Sequence, residues 1–221
     1  MALPFTKGEF IQVFHDYNEA IWPFQVVAYA LATLAVLAIA ARWRWSTRLV
    51  FSVLGVLWLF TGVVYHLAYF ADINPAARLF GIIFVVQGGA FLVLAYTRPD
   101  ALGAVRMDIL GVSAAVMVVY AMVVYPVLGY LAGHVYPDAP VFGVAPCPLT
   151  IFTLGILVLV DRDVSRWLVL IPLVWSFIGF FAALNLGVYE DVGLLVAGLT
   201  TGSLILLASH LEAAGLVAHA A

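Results

Sequence analysis

Long apolar runs alternate with short polar breaks along this chain. The runs cover about residues 24–41, 47–70, 76–96, 107–130, 149–160, 167–186 and 192–208. An α-helix needs about 20 apolar residues to cross a hydrocarbon core, and all the runs but 149–160 approach that length. Between them stand Arg42-Trp-Arg44-Trp45, Asp72 to Pro75, Arg98-Pro99-Asp100, Asp161-Arg-Asp163 and Tyr189-Glu190-Asp191. The pattern predicts an all-α integral membrane protein, a seven-helix transmembrane bundle in one domain.

Two segments depart from it. Residues 7–19 are amphipathic. Thr6 and Glu9 have capping-box spacing, and the helix they open carries Phe10, Phe14, Tyr17 and Ile21 on one stripe with His15 and Glu19 on the other side. The expectation is an interfacial helix lying apolar side down, with Trp22-Pro23 turning the chain into the first span. The segment 133–148 holds four prolines and the only cysteine. Interior prolines remove donors and clash with the preceding turn, and an open backbone cannot face lipid. An ordered outer cap, or a re-entrant plug, is expected. The short run 149–160 favours placing part of this segment at membrane depth. Pro126 is expected to kink the end of the fourth span.

Composition supports the membrane assignment. The 221 residues are 66% hydrophobic and 10% charged, against about 45–50% and 25% in soluble domains. A net charge of −3 speaks against nucleic acid, and one cysteine forms no intrachain disulfide. The first twenty residues contain Lys7, Glu9, Asp16 and Glu19, so a cleavable signal peptide is not expected. Arg42, Arg44, Arg48, Arg98, Arg106, Arg162 and Arg166 fall on one side of the seven-span topology, and only Lys7 and Arg78 on the other. The positive-inside rule then puts the N-terminus outside and the C-terminus in the cytoplasm. If 149–160 does not cross, the parity of everything after it changes.

With that orientation, three of the five histidines and the cysteine gather on the outer face, while His210 and His219 lie at the cytoplasmic end. His66, His134 and Cys147, with His15 or Glu19 as a lid, form a candidate set of metal ligands. Imidazole with thiolate suits zinc or copper, although no CxxC, HxxxH or HExxH spacing occurs. Tyr65, Tyr69, Gln87, Tyr136 and Asn185 are candidates to line a site for a small ligand. Bland readings stand beside these. Asp72, Asn74, Asp138 and Asp191 suit solvated loops, Cys147 suits a structural thiol, and His66 suits a neutral imidazole bonded to a tyrosine or a carbonyl. Gly198 and Gly202 have the spacing of close helix packing; Gln87, Asn185 and Thr200-Thr201 suit hydrogen bonds between helices or the lining of a narrow polar path.

Several functions are excluded or lowered. No lysine lies in a span for a retinal Schiff base, and no Walker A, dinucleotide or G-x-S-x-G motif appears. Mid-span carboxylates, expected of a proton-relay pump, are missing. The leading expectation is a periplasm-facing site for a small ligand or transition metal, with transport or channel activity open. The alternatives are a membrane-embedded enzyme acting on a lipid or quinone-like substrate through an outer-face histidine and carboxylate, a haem held by two histidines, and a partner subunit without a site. A homo-oligomer is left open.

The run Gly133-His-Val-Tyr-Pro137, then Phe142-Gly-Val-Ala-Pro-Cys-Pro148 and Thr150-Ile-Phe-Thr153, is similar to the signature of a bacterial family of multi-pass membrane proteins of unknown function. The opening Leu3-Pro-Phe5, Tyr17-Asn18 and Ile21-Trp22-Pro23 also resembles it. The resemblance spans the chain. It implies a bacterial inner-membrane protein and brings no catalytic residues.

Overall fold

The computed structural model describes residues 3–103 and 107–213; Arg106 and His219 lie outside them. The described residues are mostly helical and form no strand beyond one isolated bridge, Leu102 to Val160. Helix α1 is Lys7–Ala20 and α2 is Phe24–Ala40, bent from it by 82°. Helix α3 is Ser46–Phe60, prolonged by a π-helical stretch Thr61–Tyr69 and a 3-10 turn Phe70–Asp72. Then come α4 (Ala77–Thr97), α5 (Ile109–Val119), a π-turn (Tyr120–Val124) and α6 (Tyr125–Leu131). These are followed by α7 (Pro146–Leu157), α8 (Arg162–Leu168), α9 (Leu170–Leu186), a 3-10 turn (Tyr189–Asp191) and α10 (Val192–Ala213).

Among the described residues, four helical stretches are long and apolar enough to cross a membrane, or five if α1 and α2 count as one bent span. They are Ser46–Asp72, Ala77–Thr97, Ile109–Leu131 and Tyr189–Leu206. Helices α7 and α9 are apolar but shorter, at 12 and 17 residues. The flank of the bundle exposes apolar side chains such as Val86, Val93, Val116, Val174 and Val196, as a surface solvated by hydrocarbon would.

Local chemistry explains the breaks. The α1 capping box forms as its spacing predicts: Thr6 accepts from the Glu9 amide, and Glu9 Oε2 accepts from the Thr6 amide at 2.7 Å. The Thr6 amide and the Thr6 hydroxyl, which also donates to Oε2 at 2.8 Å, hold the Glu9 carboxyl below its ordinary pKa. Pro126 lacks the N–H that would serve the Met122 carbonyl. The hydroxyl of Tyr29 donates to that oxygen instead, at 3.3 Å from α2, and the π-turn absorbs the misfit in the helix.

Helices α3 and α4 meet backbone to backbone. Gly55 and Gly62 face Gly88 and Gly81, so closely that a Cβ on Gly62 would lie 2.9 Å from the Gly81 carbonyl oxygen. Helix α7 is the centre of the bundle, packed by α3, α5, α9 and α10. All of its residues except Cys147 are buried, which explains its length. A helix whose ends stop inside protein need not match a hydrocarbon thickness. Pro146 and Pro148 fit its first turn, where no amide has a partner within the helix. Residue 147 is therefore helical, whereas the proline count had placed it in a loop.

The two ends of the bundle differ. Arg42, Arg44, Arg48, Arg98, Arg162 and Arg166 sit at one end, in the connections α2–α3, α4–α5 and α7–α8 or just beside them. The other end is covered by α1 and by residues 132–145, and is called the cap end below. There the apolar face of α1 meets protein. Phe14 stacks on Tyr65 at 5.2 Å, and Tyr17 donates to the Val144 carbonyl at 2.9 Å. The amphipathic stripe thus docks on the bundle, which an interfacial placement had not anticipated. The buried Asn18 binds the carbonyls of Pro137 and Ala139, at 2.6 and 2.8 Å. His15 Nδ1 bonds Asp138 at 2.7 Å. Phe142, Val144 and Ala145 are fully buried among the helices, and Gly143, at φ +81°, passes Ala28 where no Cβ would fit.

The His15–Asp138 contact makes the fastening of α1 pH-dependent. Its hydrogen bond to Asp138 is the main cause that raises the His15 pKa above 6.5. A histidine raised on folding adds stability that is complete below its unfolded pKa and fades as pH rises through the folded one. Amide exchange in α1 should therefore be slower below about pH 6 than above about pH 8, after correction for intrinsic rates. Asp138→Asn should abolish the difference. An unchanged pH dependence in that variant would assign the effect elsewhere.

Candidate functional site

A cavity of about 650 Å³ lies under the cap. The π-stretch after α3, the first turns of α4 and α7, the second half of α9 and the 3-10 turn before α10 all contribute to its wall. Phe5, Phe10 and Phe14 close it from the N-terminal side. Most of its lining is apolar or aromatic. The polar side chains that line it are Tyr65, His66, Asn74, Cys147, Trp175, Asn185 and Asp191.

His66 is the unusual member. The wide winding of the π-stretch turns Tyr65 and His66, adjacent in sequence, both inward; they are 1% and 0% exposed. The imidazole sits in an aromatic box, with ring centroids of Phe84 at 4.6 Å, Tyr65 at 5.0 Å and Trp175 at 5.2 Å. Neither ring nitrogen has a hydrogen-bond partner among the described residues. The indole Nε1 of Trp175 has no nitrogen or oxygen acceptor among the described residues; its polar neighbour is the Cys147 sulfur. A buried polar group left unpaired costs about 1–3 kcal/mol. Two unpaired imidazole nitrogens at one cavity wall are hard to explain by packing alone.

Cys147 and Asp191 form the opposite wall. The Cys147 thiol lies beside the Asp191 carboxylate, and Tyr125 donates to Asp191 Oδ1 at 2.7 Å. The sulfur and Trp175 Nε1 both border Gly179, where a Cβ would meet them at 3.3 and 3.4 Å. Beside Asp191, the buried Glu190 pairs with His134, Nδ1 to Oε1 at 2.8 Å, and its main-chain carbonyl accepts from Tyr120 at 2.7 Å. A second layer of polar contacts thus holds the Asp191 wall in place.

The residues anticipated from sequence divide between the cavity and other roles. Tyr65, His66, Cys147 and Asn185 line it. Asn185 is exposed at its mouth, with its amide bonded to the Phe181 carbonyl at 2.6 Å. Tyr69 packs on Tyr17 outside it. Gln87 ties α4 to the Leu168 carbonyl at 3.0 Å, a helix-packing bond. Tyr136 bonds the Asn18 carbonyl in the cap at 3.2 Å. His15 contacts Asp138 and Glu19 on the outside of α1. His134 faces Glu190. The five suggested metal ligands therefore do not converge, and among the described residues no group of three His, Cys, Asp or Glu could hold a metal ion. His66 is the only histidine among the described lining residues, so no second imidazole faces it across the cavity for a haem.

Sequence reasoning missed Trp175, and it treated Asp191 as a solvated loop residue. Trp175 carries no local signal, because a tryptophan in an apolar run reads as core or belt. Asp191 had one: Glu190-Asp191 is a pair of carboxylates between apolar runs with no basic residue beside it. Such a pair is either solvated or buried in a network, and here it is buried.

No curated protein and no solved structure matches the chain. One family model does, a family of unknown function (DUF6064), and it covers residues 7–215. The chain therefore belongs to that family.

Proposed function

We propose that this is a polytopic membrane protein whose cap-end cavity binds a small amphiphilic organic molecule, with His66 and Trp175 as its polar contacts. The observation that carries the reading is the fully buried imidazole with two unpaired nitrogens at the wall of a mostly apolar cavity. A ligand that bonded these groups would remove their desolvation cost, and the aromatic walls would hold its apolar body.

Helices α2, α4, α7, α9 and α10, with the two interrupted helices Ser46–Asp72 and Ile109–Leu131, supply the seven crossings of the reading from sequence. Residues 140–145 then form the re-entrant part of the cap. The arginine end faces the cytoplasm and the cavity faces the outside, the periplasm in a bacterial inner membrane. Metal chemistry has less support, since His66, Cys147 and Asp191 line the cavity without coming together as a group that could hold an ion. The Cys147–Asp191 contact favours a second reading, in which the cavity also acts chemically on its ligand.

The test is solvent extraction and mass spectrometry of protein purified in detergent. One lipid-soluble compound should be enriched over bulk lipid, and His66→Leu should reduce it about tenfold, the loss of one good polar contact. Equal lipid profiles from wild type and His66→Leu would remove the proposal.

A further inference from the structure

We propose that the ligand is a tailed quinone that enters from the bilayer between α4 and α9, leaving its tail in an apolar groove there and its ring carbonyls at His66 and Trp175. This rests on the cavity being a ligand site, and it names the ligand class and the route.

The route is read from the surface. A groove of about 290 Å³ runs between α4 and α9 on the flank of the bundle. Its lining is aliphatic and aromatic throughout, and Ile82, Val86 and Val174 are each more than half exposed. It shares Phe80, Trp175 and Ile178 with the cavity. Those three side chains are therefore the common wall between a site under the cap and the outside of the bundle. Phe80 and Trp175 meet edge to face at 5.2 Å and lie on different helices, so a small separation of α4 and α9 opens the passage. A tail in the groove needs no polar partner, and the head in the cavity does.

The head is read from the donors. No lysine or arginine is among the described residues lining the cavity; Lys7 is exposed, with its Nζ beside Gly187. A phosphate or carboxylate head would have to sit near the Asp191 carboxylate with no cation in the wall, which is unfavourable. A neutral head with carbonyl oxygens suits the site. Trp175 Nε1 can only donate, and a neutral imidazole has one donating nitrogen. The box of Tyr65, Phe70, Phe80 and Trp175 offers edges and faces to a flat ring. A second copy of the chain or an apolar helix would fill the groove without answering the unpaired nitrogens behind it.

The experiment measures binding to the full chain in detergent by saturable quenching of tryptophan fluorescence. The probes are a decyl-tailed dimethoxy-methyl-benzoquinone and the same ring without its tail. The tailed quinone should bind at least about tenfold tighter, as burial of a few methylenes in the groove requires. Val86→Phe and Val174→Phe narrow the groove from exposed positions. They should cut this advantage while leaving the bare ring's binding and the melting temperature unchanged. His66→Leu should weaken both probes. Equal binding of the two probes, insensitive to the groove variants, would overturn the route while leaving the cavity as a site. Absence of saturable quenching by either probe, with a compound still recovered by extraction, would overturn the quinone head alone. Absence of both would remove the cavity reading too. Displacement of the tailed quinone by an equal concentration of dioleoylphosphatidylglycerol would overturn the neutral head in favour of a lipid.

Discussion

Gly88→Ala should destabilise the protein by about 2–3 kcal/mol, although alanine is the better helix former by about 1 kcal/mol. The added Cβ would lie 2.8 Å from the Leu59 amide nitrogen, 2.8 Å from Leu59 Cγ and 2.9 Å from the Gly55 carbonyl oxygen. Two of these are backbone atoms, which cannot rotate away. Helices α3 and α4 would have to separate, and the same contact recurs two turns along at Gly62 and Gly81. Association of helices in lipid rests on such close packing, because lipid tails supply no hydrophobic drive. Gly89 is the control. It is adjacent, on the same helix, and a Cβ there would meet nothing within 4 Å. Gly89→Ala should be neutral or slightly stabilising. The check is the unfolding midpoint of both variants in one detergent. Two variants within about 0.5 kcal/mol of each other would show that the helices do not meet at Gly88.

That result bears on function because α3 and α4 carry the site. His66 lies in the π-stretch that prolongs α3, and Phe80 and Phe84 lie on α4. The glycine contacts at Gly62 and Gly81 flank the aromatic box, so the spacing of these helices sets its width. Gly62 itself is the second residue of the π-stretch. The close approach and the change of winding occur together, one turn before His66. Widening this crossing should therefore lower ligand retention as well as stability.

The helical elements were legible because each apolar run is long and each break contains a proline or charges. Predicted ends fall within a few residues of the observed ones, as at 24–41 against Phe24–Ala40 and 76–96 against Ala77–Thr97. The Thr6–Glu9 box was legible because capping is local chemistry. The glycine contacts of α3 and α4 were not singled out, because Gly55 and Gly62 are seven residues apart and do not show the familiar three-residue interval. The neighbours of His66 were not legible either. Phe84 and Trp175 stand 18 and 109 positions away, and only the packing of α9 against α4 brings them together. The suggested metal ligands do not come together for a related reason. A shared end of the bundle is a statement about depth, whereas ligation requires a shared direction, and His15, His66 and His134 point to three different places.

His134→Ala should cost about 3 kcal/mol, because it leaves the Glu190 carboxylate buried without its side-chain partner. Glu190 is 1% exposed and His134 is 9% exposed, so water cannot easily take over. The other carboxylate oxygen, Oε2, already has no partner among the described residues. A variant that keeps a polar group of the same shape should be milder: Glu190→Gln retains an acceptor for the imidazole. A double variant, His134→Ala with Glu190→Met, should recover part of the loss, since it removes the stranded group as well as its partner. The pair also has a consequence at the cavity. Glu190 is bonded through the chain to Asp191, which receives the Tyr125 hydroxyl and lies beside the Cys147 thiol. A displaced Glu190 should loosen that wall and expose the only cysteine. Labelling of Cys147 by N-ethylmaleimide should therefore be faster in His134→Ala than in wild type, and should return towards the wild-type rate in the double variant. Wild-type stability with an unchanged labelling rate in His134→Ala would mean that the pair is dispensable, and that Asp191 is held by Tyr125 alone.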